Sequence, residues 1–152
     1  MKNYIKTETS LSEQNEALCV SIFRNLMRAR QLMHQKASQV AADAGLHAAE
    51  LNVIDILGKF GPISMGALSK ETFISPSNTT SIVKKLEQAS LVRRKRSDTS
   101  DREVTASLTP RGRTVFRKCY PGILQDVHAH LADRMSQNET ETLAGILRKV
   151  VS

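Results

Sequence analysis

Between Ser75 and Arg102 the chain gathers side chains suited to gripping a duplex. Ser75, Ser77, Asn78, Thr80 and Ser81 carry short hydroxyl and amide groups, while Lys84, Lys85, Arg94, Lys95, Arg96 and Arg102 carry positive charge. Short polar groups at the start of a helix can reach base edges or phosphates, lysine and arginine suit the phosphate backbone, and an arginine on a thin loop suits a narrow, electronegative minor groove. The plainer reading of the Ser and Thr residues is helix-start capping and packing, and Thr79 is assigned to packing.

Other residue types that do chemistry lack a pattern. His34, His47, His128 and His130 offer no metal-ligand spacing: His128 and His130 are two apart on a predicted helix and do not share a face, and the other two sit in different segments. No phosphate-binding glycine loop and no nucleophile motif is present, so neither an enzyme nor a cofactor or metal is expected. Cys19 and Cys119 stand a hundred positions apart. They form neither a disulfide framework nor a zinc set, which fits a reducing compartment, and a free cysteine is commonly a small buried hydrophobe.

Charge has the same focus as the polar groups. The net charge is +7, and the segment Lys84 to Lys118 holds eleven Lys/Arg against four Asp/Glu, so the rest of the chain sums to zero. A localised basic patch is the electrostatic footprint of a polyanion partner; the bland alternative is a solvated basic face. The absence of Trp and the low aromatic content of 4% weigh against single-strand binding by base stacking. No run approaches the roughly 18 apolar residues of a membrane span, and the polar N-terminus lacks the apolar core of a signal peptide, so a cytoplasmic protein with no membrane partner is expected.

The elements that must hold the polar groups can be read from hydrophobic spacing. Ser75-Pro76 opens a helix in which Thr79, Ile82, Val83 and Leu86 share one side, and Ser77, Ser81 and Lys84 the other, flanked by Asn78, Thr80 and Lys85. Ser75 is expected to cap orphan backbone N–H groups. Leu91–Arg96, a polar loop Ser97–Arg102 and Glu103–Leu108 predict a strand, a turn and a returning strand. Upstream, Ile63-Ser64 predicts a very short strand, with Ser64 capping a helix from Met65 to about Thr72. The two helices and the β-ribbon make a winged helix-turn-helix.

Outside this region, Met1–Ser10 is expected to be a loose arm. A long helix from Leu11 carries Leu18, Ile22, Leu26, Ala29 and Met33 on one stripe and Cys19, Phe23 and Met27 on a second, and stops near Gly45. Ala48–Phe60 predicts an amphipathic helix with Leu51, Ile54 and Leu57 inward. Thr109-Pro110 opens another, apolar at Val115, Phe116, Cys119, Tyr120, Ile123, Leu124, Val127 and Leu131, with a kink or break expected at Pro121-Gly122. A last helix from about Asn138 to Val151 turns Leu143, Ile146, Leu147 and Val150 to one face. The fold class is therefore mainly α with a small β-wing, in one domain over residues 1–152 with no dividing linker. The winged region covers 46–108. The helices over 11–45 and 109–152 are too apolar for a small core alone, which predicts a homodimer that sets two reading helices about 34 Å apart in successive major grooves.

This order of elements resembles the MarR family of bacterial transcriptional regulators, from about Leu11 to Val151. Leu86–Arg94 is similar to the family's L-E-x-x-G-L-V-x-R, Asp98 and Asp101-Arg102 to its wing residues, and Leu108-Thr109-Pro110-Arg111-Gly112 to its L-T-x-x-G. Three departures accompany the likeness. Ser90 stands where glycine is usual, so the turn there must take a left-handed or altered geometry. Ser81 stands where many members carry arginine. The wing reads D-R-E where D-R-R is common, and is one residue short before Leu108.

The resemblance implies that the helix from Ser77 enters the major groove and that Arg102 is the wing-tip arginine. It further implies a repressor or activator of a pseudo-palindromic double-stranded operator, with a small-molecule effector bound between the dimerisation helices and the winged region. Glu16–Cys19 is similar in placement to the reactive cysteine of the family's organic-hydroperoxide-sensing branch, with Cys119 in position to supply a resolving thiol. Both cysteines lie on or beside apolar stripes, however, and the first two helices lack the tyrosine pair which that branch uses. Two further classes remain open: a non-specific architectural DNA binder, and a protein-interaction module built on a winged helix.

Overall fold

The computed structural model describes residues 2–96 and 104–151, with side chains from position 13 onward. Its elements are α1 (Lys2–Asp43), α2 (Ala48–Phe60), β1 (Ile63–Ser64), α3 (Met65–Thr72), α4 (Pro76–Gln88), β2 (Val92–Arg96), β3 (Val104–Leu108), α5 (Pro110–Ala132) and α6 (Gln137–Val151). The chain divides into one unit up to Gln35 and a second from Lys36.

The first unit is helix only. It begins at Lys2, not at Leu11, so Lys2–Ser10, expected as part of a loose arm, forms the first turns of α1. No proline or glycine lies between Lys2 and Leu11, so nothing interrupts the i to i−4 hydrogen bonding that extends the helix. Leu18, Ile22, Phe23, Leu26 and Met27 are all exposed in this unit.

In the second unit, α1 closes at Asp43 and Gly45 takes φ 71°, as a helix stop requires. The main core joins Val53, Ile54 and Leu57 of α2 to Leu68 of α3, Val83 and Leu86 of α4, and Leu91, Val92, Ala106 and Leu108 of the wing. These are the inward positions of the helical and alternating patterns, so each element buries one face against the others. Ala41, Leu51 and Cys119 form a second buried cluster that seats α5.

The sheet is antiparallel in the order β1-β3-β2. Pairing of Val92 with Leu108, Arg94 with Ala106 and Arg96 with Val104 sets these residues on one face of the ribbon. Ser64 caps α3 by accepting the Ala67 N–H at 3.2 Å, and Thr109 caps α5 by accepting the Gly112 N–H at 3.0 Å.

Two local expectations are corrected. α5 runs through Pro121-Gly122 as one helix, so the break expected there does not occur. Proline withdraws only the bond to the Arg117 carbonyl, and Arg117 and Pro121 are both exposed, so water can serve that carbonyl. Ser75 occupies the N-cap position of α4, but its side chain caps no backbone N–H; its Oγ lies 3.3 Å from Ser77 Oγ instead. The first turn is begun by Pro76, which has no N–H to satisfy, and by the Thr79 N–H donating to the Ser75 carbonyl at 2.8 Å.

Candidate nucleic-acid interface

Helix α4 divides as its spacing predicts. Thr79, Val83 and Leu86 are buried and Ile82 half-buried, whereas Ser77, Asn78, Ser81, Lys84 and Lys85 are exposed. Thr79 is a packing residue: it is wholly buried, and its Oγ1 donates to the Ile74 carbonyl at 3.3 Å. Thr80 is half-buried and spends its hydroxyl proton on the Pro76 carbonyl at 2.9 Å, so toward a ligand it can only accept. The exposed face thus presents Ser75, Ser77, Asn78 and Ser81 toward the N-terminal end and Lys84 and Lys85 toward the C-terminal end. A helix face of this size and polarity fits a major groove, with amide and hydroxyl groups placed for bases and ammonium groups for phosphates.

The wing supplies the second part. Arg93, Lys95 and Arg96 are exposed on β2, and the Arg93 Nε donates to Ser107 Oγ at 3.1 Å across the ribbon. Arg94 differs. It lies on the Val92 side of the strand, facing α4, where its Nε and Nη2 donate to Glu87 Oε2 at 2.9 and 2.5 Å and its backbone N–H donates to Glu87 Oε1 at 3.2 Å. This guanidinium braces the wing against the end of α4. Its hydrogen bonds hold the Glu87 carboxyl below the usual carboxylate range. Arg102, Asp98 and Asp101 lie outside the described residues.

The wing is locked to α5 at one junction. The Leu91 carbonyl accepts the Thr109 N–H at 3.0 Å, and Thr109 Oγ1 donates to the Ser90 carbonyl at 2.7 Å. Ser90 itself takes φ 58°, the left-handed turn expected of the residue that replaces glycine. Gly112 lies so close that a Cβ there would stand 2.0 Å from the Leu91 carbonyl oxygen.

Two residues beside this interface were not singled out by sequence. Glu87 could have been found from the period of two in Leu91–Arg96, which turns Arg94 inward with Val92. Phe73, in the turn between α3 and α4, sits at φ 55° with 91% of its surface exposed. Its signal was the absence of glycine in a helix-turn-helix turn.

The remaining candidates stand apart. Cys19 is exposed and Cys119 is buried, and burial pushes the Cys119 thiol up from its ordinary pKa. His34, His47 and His128 are exposed and His130 is half-buried; among the described residues no three His, Cys, Asp or Glu side chains group as a metal site. No described helix is long and apolar enough to cross a membrane. Near the α2–α5 seam, Phe116 and Tyr120 stack with centroids 5.0 Å apart, and the Lys59 ammonium lies 5.5 Å from the Tyr120 ring centre.

Comparison with known proteins points the same way as this geometry. Residues 44–103 match the family model described as MarR family. The HTH-type transcriptional regulator YcgE of Bacillus subtilis is 38% identical over 98 residues, which cover 64% of this chain and 60% of that relative. The chain thus spans less than two thirds of the length of YcgE. Among solved structures, Sco3205, a MarR family transcriptional regulator from Streptomyces coelicolor in complex with DNA, is similar with a TM-score of 0.76 at 26% identity, over 86% of this chain and 83% of that one. BpsR of Bordetella bronchiseptica, whose DNA binding is regulated by 6-hydroxynicotinic acid, shares the fold with a TM-score of 0.74 at 24% identity, over 87% of this chain and 99% of that one. By the order of its elements, its three-stranded sheet and these likenesses, the chain carries a winged helix-turn-helix similar to that of the MarR family of transcriptional regulators.

Proposed function

We propose that the chain is a sequence-specific regulator that binds a pseudo-palindromic, double-stranded operator as a homodimer, represses transcription there in the cytoplasm, and is released by a small-molecule effector. The observation that carries this reading is the outer face of α4, where Ser77, Asn78, Ser81, Lys84 and Lys85 are exposed together beside the basic strand β2. Nothing in the fold requires so many short polar groups on one face, and duplex DNA offers them partners. Thr80, as an acceptor, and Arg96 add to the contact surface, and Arg102 is assigned to the wing tip. Arg94 acts through Glu87, as a positioning residue for the wing.

Homodimerisation is supported by the apolar side chains left exposed on successive turns. Leu18, Ile22, Phe23 and Met27 of α1, and Ile146 and Val150 of α6, are each more than 45% exposed. Scattered apolar residues need no partner, but repeated stripes on helices at both ends of a chain do. A two-fold pairing through them would present two copies of α4 about 34 Å apart. Effector control is supported by the regulation of BpsR, which has the same fold.

The test is selection of bound genomic fragments followed by footprinting and a salt titration. A bounded footprint with two-fold symmetry is expected. Each phosphate neutralised should add about −0.9 to the log–log salt slope, so Lys84→Ala and Lys85→Ala should each flatten it by about that amount for every phosphate the lysine had neutralised. Uniform protection of every fragment would mean a non-specific binder. Binding that ignores salt would refute the grip, and a monomeric mass in sedimentation equilibrium at micromolar concentration would refute the dimer.

A further inference from the structure

Phe73 has no evident role in the fold that it caps. It ends α3 with φ 55° and ψ 31°, a left-handed conformation in which glycine fits without a Cβ penalty and a bulky side chain does not. With 91% of its surface exposed, its ring gains nothing from burial within the chain. Yet the backbone around it is firmly held. The Phe73 N–H donates to the Lys70 carbonyl at 3.2 Å, while the Ile74 carbonyl accepts from Ser69 Oγ at 2.5 Å and from Thr79 Oγ1 at 3.3 Å. A rigid ring with two rotatable bonds therefore projects from a fixed turn, two residues before Ser75 and four before Ser77.

We propose that Phe73 is a specificity-determining residue that packs on the 5-methyl group of a thymine in the major groove at the edge of each half-site. The inference rests on the DNA-binding reading of α4. Thymine is the one base whose major-groove edge offers an apolar group, and hydroxyl and amide side chains of the kind on α4 cannot read it by hydrogen bonding. An exposed ring at the entrance to the reading helix supplies the missing contact, and a side chain with only two rotatable bonds on a held backbone loses little freedom on binding.

The experiment uses the full chain and duplexes that it selects from a random-sequence pool. Each thymine of a selected duplex is replaced in turn by deoxyuridine, which removes only the methyl group, and affinity is read by fluorescence anisotropy. The parent should lose about fourfold at one thymine of each half-site, the equivalent of one methyl group's burial. Phe73→Gly should melt no lower than the parent, bind the selected duplex more weakly, and no longer distinguish uridine from thymine at that position. Phe73→Leu should retain part of the distinction.

A parent indifferent to every uridine replacement overturns the proposal, as does a Phe73→Gly chain that keeps the same penalty or melts at lower temperature. If the parent selects no duplex at all, the DNA-binding reading falls with it. Binding without a uridine penalty removes only the role of Phe73.

Discussion

Substituting Gly112 by alanine adds a single methyl group where the structure leaves no room. The new Cβ would stand 2.0 Å from the Leu91 carbonyl oxygen and 3.2 Å from Leu108 Cδ2, and the first of these is backbone, which cannot rotate aside. Relief requires the start of α5 and the end of the α4–β2 turn to separate by roughly 1.5 Å to reach ordinary contact. That movement stretches the 3.0 Å hydrogen bond from the Thr109 N–H to the same Leu91 carbonyl. Overpacking costs about 1–3 kcal/mol, and a lost hydrogen bond about 1 kcal/mol more, so a destabilisation of about 2–4 kcal/mol is expected. For a chain of this size that corresponds to a fall in melting temperature of roughly 5–15 °C. Gly66→Ala is the control: nothing lies within 4 Å of a Cβ there, and the same chemical change should move stability by less than about 0.5 kcal/mol. The assay is circular dichroism melting at one fixed protein concentration, because assembly would make the midpoint concentration-dependent. Equal melting temperatures for the two variants would refute the reasoning and with it the tight junction between wing and α5.

Three further outcomes follow from ionisable groups. Burial raises the pKa of Asp55, with Lys59 opposing, and its Oδ1 has no hydrogen-bond partner among the described residues. The folded state thus keeps this proton to higher pH than the unfolded state, which favours folding in acid and costs stability as pH rises through the raised value. Asp55→Asn should therefore gain up to about 1 kcal/mol at pH 7 and nothing at pH 3, read by urea unfolding. Glu87 has the opposite sign: its depressed pKa gives stability above the ordinary carboxylate range that fades as pH falls toward the folded value. Since both partners of the Arg94 pair are about a third exposed, Glu87→Gln should cost only about 0.5 kcal/mol at pH 7 and flatten the acid limb of the stability curve. Iodoacetamide should label Cys19 rapidly in the native protein and Cys119 only after unfolding, as peptide mapping would show; comparable rates would mean that the second core cluster is open.

Much of this molecule was legible because its patterns are local. The period of α4, the Ser64 and Thr109 caps and the alternation of the wing each need only a few neighbouring residues to specify them, and their elements form where expected. The errors have equally physical sources. Proline at 121 removes one hydrogen bond from a helix of 23 residues, and the other bonds outweigh it. Lys2–Ser10 lacks an apolar stripe, but without a breaker it continues the helix that follows. Ser75 has the right side chain for a cap, and Ser77 draws it away. Arg94 reads as one basic residue among four in a row, yet only three face solvent, because strand pairing turns the fourth onto Glu87. Contacts between segments set that choice, and composition does not carry it. The exposed Phe73 escaped for the same reason: a single aromatic residue between two helices looks like core until the backbone angle sends its ring outward.

The order β1-β3-β2 leaves β2 with one side unpaired, and four of its five residues are basic. An open strand edge is a template for further strands, and positive charge along it repels a second copy of itself. The basic residues of β2, some of them proposed above to meet phosphates, would therefore also keep the free protein from stacking edge to edge. Neutralising them to weaken DNA binding would remove that guard, so a wing variant that loses affinity must also be checked by light scattering, since precipitation would imitate the loss. DNA itself would act as a solubilising partner by covering the same strand, and purification at low salt without it is where such variants should first turn cloudy.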